Sequence, residues 1–377
     1  MRIGLITTLN TNIGDDFIRE GICIVLRQVY KDVEIEFVPI NKHKPLTVYP
    51  KWHPIQLSNK THLLPRGKYR LKHLIEKYAS VMKLSHFDNC DLIVQCGAPV
   101  FWPNCSKNEW AQPIWHDIVG RIFKKIPVFN LAAGSCYPWE KQTPVIDNKE
   151  DTHYIKSILN YCTLTTVRDR LAQAICNDLG QQVCLIPCSA FLAGKEKIAA
   201  LNDSGFILIN YMEGGGHYEW AQDIDSTKWE TTIRNLVKKL QKRHKLAFLC
   251  HNKNEEDIAH KKFPDFPCFY PKTTQEYFQC IENAKFGLCN RMHASVGMAG
   301  SGIPSIAVCT DTRLLMVEAI GLPIHYVKDV DENNLENEIE IGLTSRHKEK
   351  DRLLDLQANT IQEYIETINN TINKSKQ

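Results

Sequence analysis

The chain has 377 residues, of which 43% are hydrophobic and 24% are charged, and its formal net charge is +3. This length exceeds one ordinary hydrophobic core, so two domains are expected. The small net charge gives no reason to expect a nucleic-acid partner. Because no apolar run approaches the roughly 18 residues of a membrane-spanning helix, we expect at most a peripheral contact with the inner face of a membrane.

The chain opens with MRIGLITTLN, which is typical of a first strand rather than of a signal peptide. We therefore expect a cytoplasmic protein whose fourteen cysteines are free thiols. No C-x-x-C pair or other metal-ligand spacing occurs, so neither a metal nor a cofactor is predicted. Cys184, Cys250, Cys289 and Cys309 lie in apolar runs and are predicted to be small core residues.

Short apolar runs alternate with helical patterns along the whole chain. Residues 40–70 have no clear period and are predicted to form a long loop. Strands are predicted at residues 3–7, 33–38, 92–95, 128–133, 164–167, 183–186, 206–210, 246–250, 286–289 and 305–308. Helices are predicted at residues 15–29, 169–179, 231–241, 255–260, 274–284 and 346–376.

This alternation predicts an α/β fold with parallel sheets and helices on both faces. Because the pattern occurs on both sides of a linker-like stretch at residues 193–204, we predict two Rossmann-like domains that face a cleft. The N-terminal domain is expected at residues 1–195 and the C-terminal domain at residues 203–345. Residues 346–377 are expected to form a C-terminal helical tail.

Arg291 and His293 are the most informative candidate site residues. They follow an apolar run directly and precede a small-residue helix, so they lie where a strand ends and a helix begins. Free N–H groups and the helix dipole favour an anion at such a place. A fixed cation beside a titratable imidazole therefore suits a small phosphorylated substrate. A lone histidine is more often structural, but the neighbouring arginine favours a functional role.

Asn12, Gly14 and Asp15 follow the first predicted strand and begin a helix. Gly14 allows close backbone approach, and Asp15 can bind an acceptor hydroxyl or simply cap the helix. Residues 96–102 (CGAPVFW), which include Gly97, follow the third strand at its carboxyl end, where a tight turn with a packed aromatic pair is an equal alternative to a ligand site.

Arg168 follows another predicted strand and can bind a phosphate or carboxylate as a bidentate fork. An ion pair with a neighbouring carboxylate is the structural alternative. His217 comes after three glycines on a loop that can close over substrate. A solvent-exposed loop histidine is equally consistent with that sequence.

Three segments together resemble the polysaccharide pyruvyltransferase family. Residues 289–294 (CNRMHA) resemble its R-[LM]-H-A signature, residues 12–15 (NIGD) its N-x-G-D element, and residues 167–169 (VRD) its central V-R-D. Their order and spacing agree with the family from about residue 2 to about residue 327. The ordered set is more specific than any one of the three motifs.

The resemblance implies a two-domain fold similar to the GT-B glycosyltransferases, with the acceptor on the N-terminal side and the donor on the C-terminal side. It implies pyruvyl transfer from phosphoenolpyruvate to two hydroxyls of a sugar, in a polysaccharide or its lipid-linked precursor, to form a ketal. Matched motifs imply catalytic roles for Arg168, Arg291 and His293, and more weakly a role for Asp15. Phosphoenolpyruvate is then a substrate rather than a cofactor.

The sequence departs from the family at three places. Residues 96–99 (CGAP) replace a G-G-G stretch, residues 187–189 (PCS) replace P-D-P, and Arg313 stands near a common lysine, whose cation it would replace. A nucleotide-sugar glycosyltransferase and a non-catalytic glycan- or nucleotide-binding module therefore remain alternatives. The acceptor sugar and the oligomeric state are left open.

Overall fold

Seven strands of the N-terminal half form one parallel sheet in the computed structural model, which describes residues 1–58, 84–97, 99–218 and 220–374. The strand order is β2-β1-β3-β5-β6-β7, and β4 pairs with β5 outside this path. The strands are β1 (Arg2–Thr7), β2 (Glu36–Asn41), β3 (Leu92–Cys96), β4 (Pro99–Phe101), β5 (Val128–Ser135), β6 (Leu164–Val167) and β7 (Cys184–Leu185).

Six strands of the C-terminal half form a second parallel sheet, in the order β10-β9-β8-β11-β12-β13. This is the strand order of the doubly wound Rossmann fold. The strands are β8 (Phe206–Asn210), β9 (Lys245–Leu249), β10 (Cys268–Phe269), β11 (Ala284–Cys289), β12 (Ser305–Cys309) and β13 (Ile324–Tyr326).

Helices connect the strands of both sheets. A π-helix at Ala111–Val119 continues directly into the first turn of an α-helix. The α-helices are Ile13–Val29 (α1), Pro54–Ser58, Gly120–Ile122, Lys149–Tyr161, Arg170–Asp178, Ser226–Leu240, Lys253–Lys262, Thr274–Ile281, Met292–Gly300, Leu314–Glu318 and Glu332–Lys374, the C-terminal helix. None of the described helices combines the length and the apolar character needed to cross a membrane.

The central strands are apolar because they are covered on both faces. Every residue of β3, β5, β11 and β12 is buried, as expected for parallel strands with helices packed on either side. Strand order reverses between β1 and β3 in the first sheet and between β8 and β11 in the second. Ligands of such sheets bind outside the carboxyl ends of the strands near these points.

Several predicted boundaries were wrong. The second strand begins at Glu36 rather than at 33, and the helix predicted from 231 begins at Ser226 because Asp225 caps it. The predicted loop at 40–70 contains the end of β2 and a short helix, and its part beyond 58 lies outside the described residues. Cys250, Cys289 and Cys309 are buried as predicted, whereas Cys184 is exposed at the edge strand β7.

The C-terminal helix is much longer than predicted. It begins at Glu332 rather than at 346, so the expected boundary between C-terminal domain and tail falls inside one continuous helix. Leu335, Ile339 and Leu343 bury an apolar stripe of its first turns against the second sheet's core. Polar residues lie between these three, and the helix continues through Gly342, where its backbone lies against the Phe286 ring.

The two halves share an apolar core beneath the cleft. Phe17 of α1 packs against Tyr277, with ring centroids 4.6 Å apart, and against Phe278. The C-terminal helix then returns to both halves. Its buried Gln357 donates to Phe191 O (2.6 Å) and to Gly300 O (2.8 Å). This amide therefore bonds the helix to segments from the N-terminal and the C-terminal half.

Replacing Gln357 with leucine should destabilise the whole chain. Leucine keeps most of the volume but leaves the buried carbonyls of Phe191 and Gly300 without their amide donor, which costs about 1–3 kcal/mol in the free energy of unfolding. Urea denaturation measures this loss. The matched control is Asn359→Leu on the exposed face of the same helix, expected to change stability by less than about 0.5 kcal/mol. Equal stabilities of the two variants would show that the amide does not join the halves.

Candidate active site

A cavity of about 510 Å³ lies between the two sheets, at the carboxyl ends of their strands. Both halves contribute residues to its wall. The lining residues are Thr8, Thr11, Asn12, Asp15, Lys42, His43, Trp102, Trp110, Cys136, Arg168, His217, Tyr218, Trp220, Asn252, Arg291, His293 and Arg313.

Most of the residues singled out in the sequence meet in this cavity. The ones that line it are Asn12, Asp15, Arg168, His217, Arg291, His293 and Arg313. Gly14 and Gly97 do not line it. Gly97 is buried with φ of +48°, and a Cβ there would lie 2.5 Å from Ile18 Cγ2, so this glycine serves the turn after β3 and its packing on α1.

Arg168 is buried with 1% of its surface exposed, yet no carboxylate of the described residues contacts its guanidinium. The adjacent Asp169 instead caps a helix through Ala172 N (2.8 Å) and accepts from Ser135. The ion-pair alternative is therefore wrong. Nε and one terminal nitrogen of Arg168 have no partner within the described chain, and the other terminal nitrogen lies 3.5 Å from Cys188 Sγ. Such a buried, unpaired donor set fits an anionic ligand.

His293 approaches Arg168 from the other half. Arg168 donates to His293 Nε2 across 3.4 Å, and because arginine is only a donor, this contact assigns the ring proton to Nδ1. Burial and the cations Arg168, Arg313 and Arg291 hold the pKa of His293 well below its usual value. The imidazole is therefore neutral at pH 7 in the unliganded protein.

Gly14 positions His293 rather than binding a ligand. A Cβ at residue 14 would lie 2.6 Å from His293 Cβ and 2.7 Å from its Nδ1. Only glycine lets the first turn of α1 approach the imidazole this closely. The N-x-G-D element therefore shapes the cavity through a contact between the halves.

The sequence left open whether Asp15 caps helix α1 or binds an acceptor hydroxyl, and the structure assigns the capping to Asn12. Asn12 is the N-cap of α1, where its Oδ1 accepts from Gly14 N at 2.9 Å. The carboxylate of Asp15 caps nothing and makes no hydrogen bond or ion pair with any described residue. It is half-buried in the cavity wall and is free to accept hydrogen bonds from a ligand hydroxyl.

Arg291 is held by a buried ion pair. Its Nε lies 2.5 Å from Glu255 Oε1, and its backbone N–H donates to Asn210 Oδ1 at 2.8 Å. Glu255 also accepts from Asn210 and from the backbone of His251, so its charge is well satisfied. Arg291 is thus fixed in place at the amino end of Met292–Gly300, and part of its charge is offset.

Arg313 is similarly paired. It contacts the fully buried Asp311 in a bidentate way, at 2.8 Å and 2.7 Å, and its guanidinium lies 4.6 Å from the centre of the Tyr218 ring. His217 precedes Tyr218 on the glycine loop and faces the same cavity. Loss of solvent and the cations Arg291 and Arg313 lower the pKa of His217 to about 4.

Lys42, Trp110 and Asn252 also line the cavity and were not among the predicted site residues, and so does Trp102, the end of the stretch at 96–102 for which the sequence left a ligand site open. Lys42 and Asn252 come just after β2 and β9, so the rule that ligands gather at strand ends would have found them with correct strand boundaries. Trp110 belongs to no motif. Among the described residues, no group of three or more His, Cys, Asp or Glu side chains is arranged to hold a metal ion.

A sequence model described as polysaccharide pyruvyl transferase matches residues 12–311. The chain belongs to the polysaccharide pyruvyl transferase family. The match begins at Asn12 and includes Arg168, Arg291 and His293, while Arg313 lies just beyond its end. No curated protein matches the chain.

Solved structures show that this pyruvyl transferase family member has a GT-B fold. UDP-GlcNAc 2-epimerase from Neisseria meningitidis, bound to UDP-GlcNAc, is 10% identical with a TM-score of 0.56, and the match covers 98% of this chain and 99% of that one. S. aureus MnaA with UDP is 12% identical with a TM-score of 0.53, covering 94% and 91%. The predicted pair of Rossmann-like domains is thus confirmed.

The protonation state of His293 is directly testable. In ¹⁵N-histidine-labelled protein, with His293→Gln used for assignment, the ring should stay neutral and carry its proton on Nδ1 from pH 6 to 8. Because its folded-state pKa is depressed, protonation opposes folding as the pH falls through the unfolded-state value of about 6.5. Inorganic phosphate should raise the pKa by offsetting the arginines. A ring that titrates normally without phosphate would contradict the assigned environment.

Proposed function

We propose that this family member transfers the pyruvyl group of phosphoenolpyruvate to two hydroxyls of one sugar, in a polysaccharide or its lipid-linked precursor. The products are a cyclic ketal and inorganic phosphate. The observation that carries the proposal is Arg168, a buried guanidinium in the cavity lining with two nitrogens that lack a hydrogen-bond partner and no carboxylate in contact within the described chain. Family membership supports the type of group transferred.

Phosphoenolpyruvate carries a phosphate and a carboxylate, and the cavity offers donors for both. Arg168 supplies the unpaired fork, and Arg291 stands at the amino end of Met292–Gly300, whose free N–H groups add to the positive potential. The partners of Arg291 and Arg313 reduce their net charge, so Arg168 is the donor expected to bind the phosphate. A cavity of about 510 Å³ has room for this donor and one sugar ring.

The reaction needs protons moved at defined atoms. A proton added to the methylene carbon of phosphoenolpyruvate makes C2 electrophilic, and one sugar hydroxyl attacks it and loses its own proton. The C–O bond to phosphate then breaks, and the second hydroxyl attacks C2 to close the ketal, its proton leaving with the phosphate. His293 is neutral in the free protein and becomes more basic when an anion offsets Arg168, so it can relay the first proton. Asp15 is placed to orient the acceptor hydroxyls.

Sugar-nucleotide chemistry is the second candidate. The structurally similar S. aureus MnaA binds UDP, and the N. meningitidis epimerase binds UDP-GlcNAc. A glycosyl transfer on the same fold would use the same cleft but a different donor. A thermal-shift comparison of phosphoenolpyruvate with UDP- and GDP-sugars separates the two. Stabilisation by nucleotide sugars alone would replace the proposed donor.

Arg168→Met tests the donor site. With phosphoenolpyruvate and a glycan that supports turnover, the variant should lose roughly 10²–10³-fold in kcat/KM for phosphate release, because it lacks the positioned donors for developing charge. The ketal methyl signal in NMR provides the second readout. Arg170→Met is the matched control, since Arg170 is exposed, where it pairs with Glu318 and donates to Gln142, and it should change the rate by less than about twofold.

Full activity of Arg168→Met would remove the basis of the proposal. Absence of phosphate release and of the ketal signal from the wild-type protein across a panel of glycans would also count against it. If His293→Ala, which removes the proton relay, leaves the biological role intact, a non-catalytic binding module is the better account.

A further inference from the structure

Two tryptophans of the N-terminal half are presented to the cavity by a rigid loop. Trp102 follows β4 and Trp110 precedes the π-helix, so they are the two ends of one connection. Asp151 fixes this connection by accepting from Asn104 N (2.7 Å) and Ser106 N (2.9 Å). Asn108 Oδ1 accepts from Trp110 N at 3.0 Å. Such anchoring orders the loop before any ligand binds.

The two rings form an aromatic corner that is half-buried on the core and half open to the cavity. Their centroids are 5.7 Å apart with planes 49° from parallel. His43 abuts Trp110 edge-on at 5.1 Å and is itself held by Glu109. Aromatic faces open to a polar cavity bind the apolar C–H face of a sugar ring well. Asp15 lines the same cavity and can accept hydrogen bonds from sugar hydroxyls.

Lys42 places a buried amine beside these rings, without an ion pair to any described residue. It is 5% exposed, its Nζ lies 4.9 Å from the centre of the Trp110 ring, and no carboxylate of the described residues lies within ion-pair distance. The neighbouring Glu109 pairs with His43 rather than with Lys42. A buried ammonium without an anionic partner has lost water and gained no ion pair in return. An anion bound in the cavity beside it would offset that cost.

We propose that Trp102 and Trp110 are the platform for the acceptor sugar, and that Lys42 binds an anionic group carried by the acceptor beside that ring. The group is a carboxylate on the glycan or a phosphate that links it to a carrier. This inference rests on the proposed function and specifies its acceptor. The donor arginines and the acceptor platform thereby occupy different parts of one cavity.

Glycan binding without phosphoenolpyruvate tests the platform. Calorimetry on the full chain should show trigalacturonate or galactotriose 1-phosphate binding about tenfold more tightly than neutral galactotriose. Trp102→Ala and Trp110→Ala should each weaken the anionic probes by roughly tenfold. Trp52→Ala is the control, because Trp52 is 62% exposed and lies outside the cavity lining. Wild-type affinity in both cavity variants would overturn the platform.

Lys42→Gln tests the anion site, with the exposed Lys44→Gln as control. The variant should bind the anionic probes only as tightly as neutral galactotriose, while its affinity for phosphoenolpyruvate falls by a much smaller factor. Selectivity for trigalacturonate indicates a carboxylate on the glycan, and selectivity for the 1-phosphate indicates a phosphate linkage. Equal wild-type affinity for all three probes, or a loss of phosphoenolpyruvate affinity in Lys42→Gln as large as the loss for the anionic probes, would overturn the role of Lys42. If the wild type binds no phosphoenolpyruvate, the proposed function itself fails.

Discussion

A guanidinium buried without a carboxylate in contact is the constraint on which the site depends. Desolvating an ion costs roughly several kcal/mol, and Arg168 recovers little of that from its long contacts to Cys188 and His293. The guanidinium contacts only these neutral side chains, while the adjacent Asp169 is hydrogen-bonded to Ala172 and Ser135. The Ser135 hydroxyl donates to Asp169 Oδ1 at 2.9 Å and lies 3.0 Å from Thr312 Oγ1. It therefore joins Asp169 to the other half. The charge of Arg168 therefore has no carboxylate partner among the described residues.

The site exists only where the two halves meet. Arg168 and Gly14 come from the first sheet's half, while His293 comes from the second, and the imidazole contacts both. Thr312 also exchanges hydrogen bonds with Tyr137, which fixes the loop after β5 against the loop after β12. Beneath the cavity, the packing of Phe17 on Tyr277 and the returning C-terminal helix hold the halves in register. Core packing therefore sets the distance between the groups that would act on one substrate.

The sequence was sufficient to identify the strand ends, and hence Arg168, Arg291 and His293, because parallel strands bring their carboxyl ends to one edge whatever lies between them. It was not sufficient to show how those residues are partnered. The Glu255 that holds Arg291 comes from the helix after β9, and the contact of Gly14 with His293 joins opposite halves. Neither contact can be predicted from the sequence around the residues, because the partners are far apart along the chain. The pairing of Trp102 with Trp110 could not be predicted for the same reason, since the loop that joins them is held by Asp151 from a later helix.

The central claim is that the unpaired guanidinium of Arg168 is the phosphate site of phosphoenolpyruvate. A crystal structure of the wild-type protein with bound phosphoenolpyruvate tests this most directly. The account predicts phosphate oxygens within about 3 Å of the guanidinium nitrogens of Arg168, with C2 of the donor facing His293. Phosphoenolpyruvate bound elsewhere, or bound here with Arg168 still without a ligand contact, would contradict it.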